Sequence, residues 1–464
     1  MTNEIGLYKN GLFIFRRDFR IIDNKGLNLL NAHCHNIFTI FIFTPEQVTN
    51  KNKFKSENAI QFMIESLMDL ASTINKKGGK LFTFYGENDM IITECIKAFH
   101  IDIIGFNQDY SPYAVKRDDD IKHVCKTLNI PVILEHDYYL HQPGTILNGA
   151  GTSYQKFTPY YHSAMKKHIE QPASAIKIKF IKKTINIANS LTLSDAINKF
   201  ITEPNPNILI HGGRKLAIKM LNNSIKNYAS THNDLWKPTS QLSAYIKFGC
   251  ISIREVYKAY KHLPTFIRQL IWRDFYANIL YSFPHVLGHA MKPKYEDIKW
   301  DKNSTWFKKW CIGQTGFPVI DAGMRQLNTT GYMHNRARLI VASFLVKTLL
   351  ISWEKGEKYF AQHLTDYDPA SNNGNWQWIA STGADSQPYF RIFNPTEQSK
   401  KFDPDCEYIK KWVPELESLP SKVIHNWPAV WQDIMYKDIN YPEPICDYKK
   451  QKVLALKMYS KVFS

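Results

Sequence analysis

Residues 37–43 read Ile-Phe-Thr-Ile-Phe-Ile-Phe, a run with the length and composition of a buried strand. A helical pattern follows it, starting at Ser56, repeating apolar residues on one face and stopping at Gly78-Gly79. The next strand-like run covers residues 80–85. Strand, helix and strand in this order predict a parallel sheet with helices on both faces.

The same alternation extends outward from this unit. Further strand-like runs cover residues 11–15, 101–106 and 131–134, and a second helical pattern covers 112–128. No Gly-x-Gly-x-x-Gly sequence opens any of these units. A dinucleotide site of the usual kind is therefore not supported in this part of the chain.

The rest of the chain has a different pattern. We predict an α/β domain with a Rossmann-like parallel sheet over residues 1–135 and a basic interdomain linker over 136–198, where a solvated face and a contact role are equally open. Helical periodicity then dominates, which predicts a larger all-α domain over 199–464. The longest apolar stretch, 339–353, is too short for a membrane span and predicts a buried helix.

The composition restricts the classes of function that this chain can have. With 44% hydrophobic and 22% charged residues, the 464-residue chain has the composition of a packed protein of two domains. The net charge of +17 favours a polyanionic partner, nucleic acid before membrane, although a basic bias without function is the alternative. Seven scattered Cys without a Cys-x-x-Cys pair, and no signal peptide, predict free thiols, a cytoplasmic location and no metal site.

Two segments of the helical half suit phosphates and bases. Residues 239–243 offer hydroxyl and backbone N–H groups at a helix start, which suit a pyrophosphate, but helix capping alone would also explain them. In the segment 269–276, Trp272 and Arg273 could offer a ring to a base and a guanidinium to a phosphate. A buried Trp beside an ion-paired Arg is the alternative.

Two further segments are unusually polar for this aromatic-rich half. In 332–338, Asn335 and Arg338 share one helix face, which could also be only the exposed end of an apolar helix. The segment 366–378 has two acids, a Pro, three Asn and a Gly before two Trp, a composition that is unfavourable in a helix. We predict that it is a binding loop.

These segments, in this order, resemble the photolyase/cryptochrome family. The resemblance rests on residues 239–243, 270–276, 313–318, 333–338, 366–378 and 389–395 and covers nearly the whole chain. Because several long motifs match in register, it is specific. The bacterial class I enzymes that repair cyclobutane pyrimidine dimers are the most similar group.

In this family a U-shaped FAD lies in the helical domain. The positions that the resemblance assigns to FAD are Tyr228, Thr239, Ser240, Gln241, Leu242, Ser243, Asn335, Arg338, Asp366, Asp368 and Asn372. It implies that Arg338 pairs with Asp366 beside the flavin ring and that Asn372 faces the flavin N5, supporting the reduced, anionic state. An amide can serve either protonation state of N5.

The implied reaction is light-driven repair of UV-damaged DNA. Excited reduced flavin passes an electron to a dimer flipped out of the duplex, the dimer bonds break, and the electron returns. The positions that the resemblance assigns to the lesion and to DNA are Gln269, Trp272, Arg273, Asn335, Arg336, Leu339, Trp378 and Arg391. Trp376, Trp353 and Trp300 match the family's electron relay to the flavin, although each could also be core filling.

Two positions depart from the class I pattern. The family's lesion-facing Glu is Gln269 here, and its Met is Leu339. Gln at this site is usual in (6-4) photolyases, but those enzymes carry a His pair where this chain has Asn335 and Leu339. We therefore expect dimer repair, with (6-4) repair, a cryptochrome-type light sensor and, as a weaker reading, a flavin-free nucleic-acid binder as alternatives. A folate or deazaflavin antenna near residues 106–113, a monomer and no obligate protein partner or membrane are further expectations.

Overall fold

The computed structural model describes residues 8–183, 187–223 and 225–463. Contacts group the chain into two compact units, the first with residues 1–205, 210–224 and 240–284 and the second with residues 206–209, 225–239 and 285–464. This grouping places residues 240–284 with the sheet-bearing unit. The division at 135 and 198 that the sequence suggests therefore stays a prediction.

The first unit is built on a five-stranded parallel sheet with the strand order β3-β2-β1-β4-β5. The strands are β1 (Tyr8–Phe15), β2 (Cys34–Phe43), β3 (Leu81–Tyr85), β4 (Ile103–Asn107) and β5 (Val132–Glu135). In the centre, β1 is buried continuously from Gly11 to Phe15, as expected of a parallel sheet with both faces covered. The predicted α/β class and its five strands are confirmed.

Helices make up most of the remaining regular structure. In chain order they are α1 (Lys25–His33), α2 (Pro45–Val48), α3 (Glu57–Lys76), α4 (Asn88–Phe99), α5 (Pro112–Thr127), α6 (Phe157–Met165), α7 (Leu193–Phe200), α8 (Arg214–Leu221), α9 (Tyr228–Thr231), α10 (Ser243–Lys247), α11 (Ile253–Tyr260), α12 (Pro264–Ser282), α13 (Ser304–Ile312), α14 (Pro318–Thr330), α15 (Asn335–Lys347), α16 (Trp353–His363), α17 (Pro369–Ala380), α18 (Pro395–Phe402), α19 (Glu407–Trp412), α20 (Ser421–His425), α21 (Trp427–Val430) and α22 (Tyr448–Phe463). Short 3-10 helices cover Pro284–Val286, Pro293–Asp297, Pro414–Leu416 and Ile434–Tyr436. Within residues 199–223 and 225–463 the structure contains helices and no strand, so the predicted helical half is confirmed.

The predicted connector contains more regular structure than expected. α6 lies inside it and packs against α12. Phe157, Tyr160 and Ala164 are buried at helical spacing, so the apolar periodicity was present but short. The linker predicted over 136–198 therefore contains a packed helix.

The predicted helix over 339–353 is divided in two. α15 ends at Lys347, Leu350 has a φ of 58°, and α16 begins at Trp353. A left-handed residue interrupts a right-handed helix, and the Leu350 carbonyl accepts a hydrogen bond from the Asp301 N–H at 2.7 Å. The burial of this stretch is confirmed, but its continuity as one helix is wrong.

Within the described ranges, features that would mark a membrane span or a metal site are absent. No helix there has the length and apolar character that crossing a bilayer requires. No group of three His, Cys, Asp or Glu side chains in those ranges lies close enough together to hold a metal ion. The cysteines are free, and all but Cys446 are buried.

Buried charges join α11 to the sheet-bearing part of the first unit. Arg254 donates through Nε to Asp23 Oδ2 at 2.9 Å and through Nη2 to Asp137 Oδ1 at 2.7 Å. Arg20 pairs with the other oxygen of Asp137. Because all four side chains are buried, removing any one of them would leave a charge without its partner, at a cost of about 3–5 kcal/mol.

A buried acid outside this network makes stability depend on pH. Asp274 on α12 is 1% exposed; its Oδ2 accepts the His141 N–H at 2.9 Å, and its Oδ1 has no hydrogen-bond partner. Burial raises the pKa of Asp274 from 3.8 to about 7. The folded protein thus binds more protons than the unfolded chain between these values, and stability falls as pH rises through this window.

We expect Asp274→Asn to reduce the loss of stability that accompanies a rise in pH. Between pH 5 and pH 8 the free energy of unfolding of the wild type should fall by about 3 kcal/mol more than that of the variant. Urea unfolding of both proteins at the two pH values measures the difference. Equal pH dependence in the two proteins would contradict the assignment.

Candidate functional site

A pocket lies in the second unit, between α15, the segment before α17, and α17. Its lining residues are Asn335, Arg338, Leu339, Ala342, Phe360, Leu364, Asp366, Tyr367, Asp368, Ser371, Asn372, Asn375, Trp376 and Ile379. It brings together six of the positions assigned to cofactor or lesion, besides Trp376 of the relay. These positions are Asn335, Arg338, Leu339, Asp366, Asp368 and Asn372.

An ion pair forms one wall of this pocket. Arg338 donates through Nη2 to Asp366 Oδ2 at 2.9 Å, and its Nε is fixed by the Met333 carbonyl at 2.9 Å. The other carboxylate oxygen, Asp366 Oδ1, is buried and has no hydrogen-bond partner. A buried unpartnered acceptor is costly, so this oxygen is suited to an N–H donor of a bound ligand.

The segment 366–378 is mainly a helix, and the prediction of a binding loop is wrong. α17 begins at Pro369, after the N-cap Asp368, whose side chain accepts the Ser371 N–H at 3.0 Å. Pro at the first position and Asp at the N-cap both favour a helix start. The low helix propensity of the Asn residues is offset by hydrogen bonds that their side chains make within the unit.

Those hydrogen bonds orient Asn372. Its Nδ2 donates to the Glu357 carbonyl at 3.0 Å, which leaves Oδ1 as the amide atom available to the pocket. Asn373 donates to Glu357 Oε1 at 3.0 Å, and Gln377 donates to Asn373 Oδ1 at 3.1 Å. Burial raises the pKa of Glu357 to about 7. Sequence reasoning missed Glu357, because no local motif marks it.

Two of the positions assigned to the pyrophosphate side lie in the second unit. Thr239 Oγ1 is 3.3 Å from the hydroxyl of Tyr332, whose ring centroid is 5.8 Å from the Arg338 guanidinium. The ring of Tyr228 stacks on His232 at 5.0 Å. Tyr332 thus links this side to the ion pair, a role not assigned from the sequence although Tyr332 begins the segment 332–338.

The other positions of the segment 239–243, residues 240–243, lie in the first unit. Ser243 begins α10, a helix of five residues, after the buried N-cap Leu242. No side chain caps this helix, so capping does not explain the hydroxyl groups of 239–243. Gln241 has a φ of 52°, and Ser240 precedes it.

Three lesion or DNA positions lie on α12 of the first unit. Gln269 is exposed. The half-buried Trp272 stacks on Phe157, with ring centroids 3.6 Å apart and an angle of 4° between the planes. Arg273 donates to the Tyr138 carbonyl at 2.7 Å and lies 4.3 Å from the centroid of Tyr139. The alternative of a buried Trp beside an ion-paired Arg does not describe this segment, since Trp272 is half-buried and Arg273 is held by a carbonyl and a ring.

The remaining residues that the resemblance assigns to DNA contacts lie in the second unit. Arg336 donates through Nη2 to Asn233 Oδ1 at 2.6 Å, and its guanidinium lies 4.3 Å from the Phe402 centroid. Arg391 is exposed, and its carbonyl accepts a hydrogen bond from Lys347 Nζ at 3.2 Å. Trp378 is half-buried against the helical core.

The three tryptophans that the resemblance assigns to an electron relay differ in burial. Trp376 lines the pocket and, like Trp353, is 2% exposed, whereas Trp300 is half-buried. The Trp376 ring packs against Gly356, one turn along α16 from Trp353; a Cβ at Gly356 would lie 2.2 Å from Trp376 Cη2. Because Gly356 has no side chain, the Trp376 indole can approach α16, the helix that also carries Trp353.

Two protein-family models match the chain. Residues 12–177 match the model described as DNA photolyase, and residues 266–461 match the FAD binding domain of DNA photolyase. The second range contains the whole pocket of the second unit and α12 from Phe266 onward.

Individual proteins match over nearly the full length. The deoxyribodipyrimidine photo-lyase of Buchnera aphidicola subsp. Baizongia pistaciae is 36% identical, with coverage of 96% of this chain and 98% of the relative. A crystal structure of an archaeal photolyase from Sulfolobus tokodaii with two FAD molecules is 38% identical with a TM-score of 0.88, covering 98% of this chain and 100% of that one. A class III photolyase from Agrobacterium tumefaciens is 32% identical with a TM-score of 0.91, covering 98% of each chain.

The contact between Gly356 and Trp376 gives a testable prediction. Gly356→Ala should lower the free energy of unfolding by about 1–2 kcal/mol, because overpacking outweighs the gain in helix propensity. Chemical denaturation measures the change, and Gly149→Ala is the matched control, since a Cβ there meets nothing within 4 Å. A Gly356→Ala protein as stable as the wild type would show that the indole is free to move.

Proposed function

Because the chain belongs to the photolyase/cryptochrome family, we propose for it the light-driven repair of cyclobutane pyrimidine dimers in DNA. It is a FAD-dependent DNA-repair enzyme, a carbon–carbon lyase. The single observation that carries the assignment of the site is the pocket with the Arg338–Asp366 pair and its buried, unpartnered Asp366 Oδ1. This pocket falls within the match to the FAD binding domain.

The donor set of the pocket fits a flavin. Reduced, anionic FAD, when bound, supplies the electron that light releases. Asp366 Oδ1 would accept a hydrogen bond from a ring N–H, and Asn372 Oδ1 would accept one from the protonated N5. The Arg338 guanidinium would balance the negative charge of the ring. Asp368 would bind the ribose or the ring edge.

The phosphate side of FAD would be held by hydroxyl and backbone groups. The resemblance assigns Tyr228 and Thr239 to this role in the second unit. It assigns residues 240–243 to it in the first unit. The absence of a side-chain cap on α10 supports this role, because the hydroxyl groups there are not used by the helix itself. Trp376, Trp353 and Trp300 would relay electrons to the flavin.

UV-damaged DNA is the substrate. The net charge of +17 suits a polyanion, and the exposed Arg391 is the phosphate contact that the structure supports best. Arg336 and Arg273 are each held by an internal acceptor, which fixes their orientation. In the first unit, Trp272 is the aromatic residue proposed to stack on a flipped base. In the second unit, Trp378 is proposed for the same role, and Asn335 and Leu339, which line its pocket, are the lesion contacts proposed there.

A second candidate function is repair of (6-4) photoproducts. The observation that favours it is Gln269, whose exposed amide can hydrogen-bond but cannot share a proton as a carboxylic acid does. Asn335 and Leu339, in place of a His pair, favour the dimer. A light sensor without repair activity is the third outcome.

A second chromophore in the first unit is part of this proposal. The Sulfolobus tokodaii structure holds two FAD molecules. In this chain a pocket of the first unit includes Tyr110, from the segment 106–113, with His136 and Tyr139. Folate, deazaflavin and a second flavin remain open as its occupant. We also propose a monomer without an obligate protein partner or a membrane association, located in the cytoplasm and, if prokaryotic, at the nucleoid.

A repair assay on both lesions tests the proposed function. The purified protein, with FAD bound and reduced, is given oligonucleotides that carry one cyclobutane dimer or one (6-4) photoproduct, and illuminated with blue light. We expect restoration of the dimer substrate only, with dark samples as the control. Restoration of only the (6-4) substrate would support the second candidate, and restoration of neither would contradict both.

We propose that the residue at position 269 sets the efficiency of dimer repair. We expect Gln269→Glu to raise the quantum yield of dimer repair, because a carboxylic acid can share a proton with the reduced dimer. Gln269→Ala is the comparison, because its side chain can neither form a hydrogen bond nor share a proton with the dimer. Steady-state photolysis at saturating DNA measures the yields, and an unchanged or lower yield for Gln269→Glu would contradict the role.

A further inference from the structure

The aromatic surface around Trp272 includes a cation, Arg268. Arg268 lies on α12, one residue before Gln269 and four before Trp272, so it shares a helix face with Trp272. Its guanidinium carbon is 4.8 Å from the centroid of Phe157 and 5.0 Å from that of Tyr161. All of these residues belong to the first unit.

Rings rather than carboxylates hold this guanidinium. In the described part of the chain, the contacts recorded for Arg268 are those with Phe157 and Tyr161. A cation–π contact uses the face of the guanidinium and leaves its N–H groups at the edge free for an anion. Arg268 is half-buried, so ring stacking fixes its position while part of it stays open to solvent.

The surroundings of Arg268 are poor in negative charge. The sequence has no Asp or Glu between Asp137 and Glu170, a stretch that includes α6. On α12 the only acid is Asp274, which is buried. The exposed residues Lys166 and Lys167 lie at the end of α6 and add positive charge. An anionic ligand is therefore the one that this surface fits.

We propose that Arg268, held on the rings of Phe157 and Tyr161, is a phosphate-binding residue for the DNA strand that carries the lesion. The inference rests on the proposed function, because the lesion is placed at Trp272, and Phe157 contacts both Trp272 and Arg268. A phosphate near the lesion can accept two parallel N–H bonds from one guanidinium. Phe157 thus couples the base-stacking residue and the phosphate-binding residue.

The salt dependence of DNA binding tests this inference. Dissociation constants of the FAD-containing protein for a dimer-carrying duplex are measured over a range of KCl concentrations. We expect Arg268→Gln to weaken binding about tenfold at low salt and to reduce the slope of log K against log salt by about 1. Arg268→Lys should restore most of the slope.

The matched control is Lys116→Gln, which removes the same charge from an exposed lysine that already pairs with Asp120 at 2.9 Å. It should bind DNA within twofold of the wild type. If Arg268→Gln binds with wild-type affinity and slope, the inference is wrong. Weaker binding with an unchanged slope, not restored by Arg268→Lys, would assign Arg268 to support of the Phe157–Trp272 stack and would also overturn it. Failure of the wild type to repair either lesion contradicts the proposed function instead.

Discussion

The ion pair between Arg338 and Asp366 is the contact on which the pocket of the second unit depends. It joins the first turn of α15 to the segment before α17, and it satisfies only one of the two oxygens of Asp366. The Met333 carbonyl fixes the guanidinium from the other side. A fixed cation beside a half-satisfied carboxylate is a stable arrangement mainly when a ligand supplies the missing donor.

Much of the fold could be predicted from the sequence, and the failures have physical causes. The strands were visible because strands covered on both faces need continuous apolar runs, such as residues 37–43. α17 was missed because propensity disfavours Asn in a helix, whereas side-chain hydrogen bonds from Asn372 and Asn373 to Glu357, distant in sequence, outweigh it. The helix break at Leu350 is likewise a tertiary effect, since Asp301 holds its carbonyl.

The same limit applies to predicting the site from the sequence. The family resemblance assigned Arg338, Asp366 and Asn372 to one place, and the structure brings them into one pocket. It could not reveal the stack of Phe157 on Trp272, because those residues are far apart in the chain and Phe157 lies in a stretch that had been interpreted as a linker. Contacts of this kind depend on packing between helices, and local sequence carries little information about them.

The most direct test of the role of the Arg338–Asp366 pair measures FAD binding and dimer repair in the same samples. Asp366→Asn removes the carboxylate without changing its size, and Asp405→Asn makes the same change at an exposed position. We expect Asp366→Asn to bind FAD about ten- to a hundredfold more weakly and to lose repair in proportion, while Asp405→Asn should behave as the wild type. Full FAD binding and full repair by Asp366→Asn would contradict it.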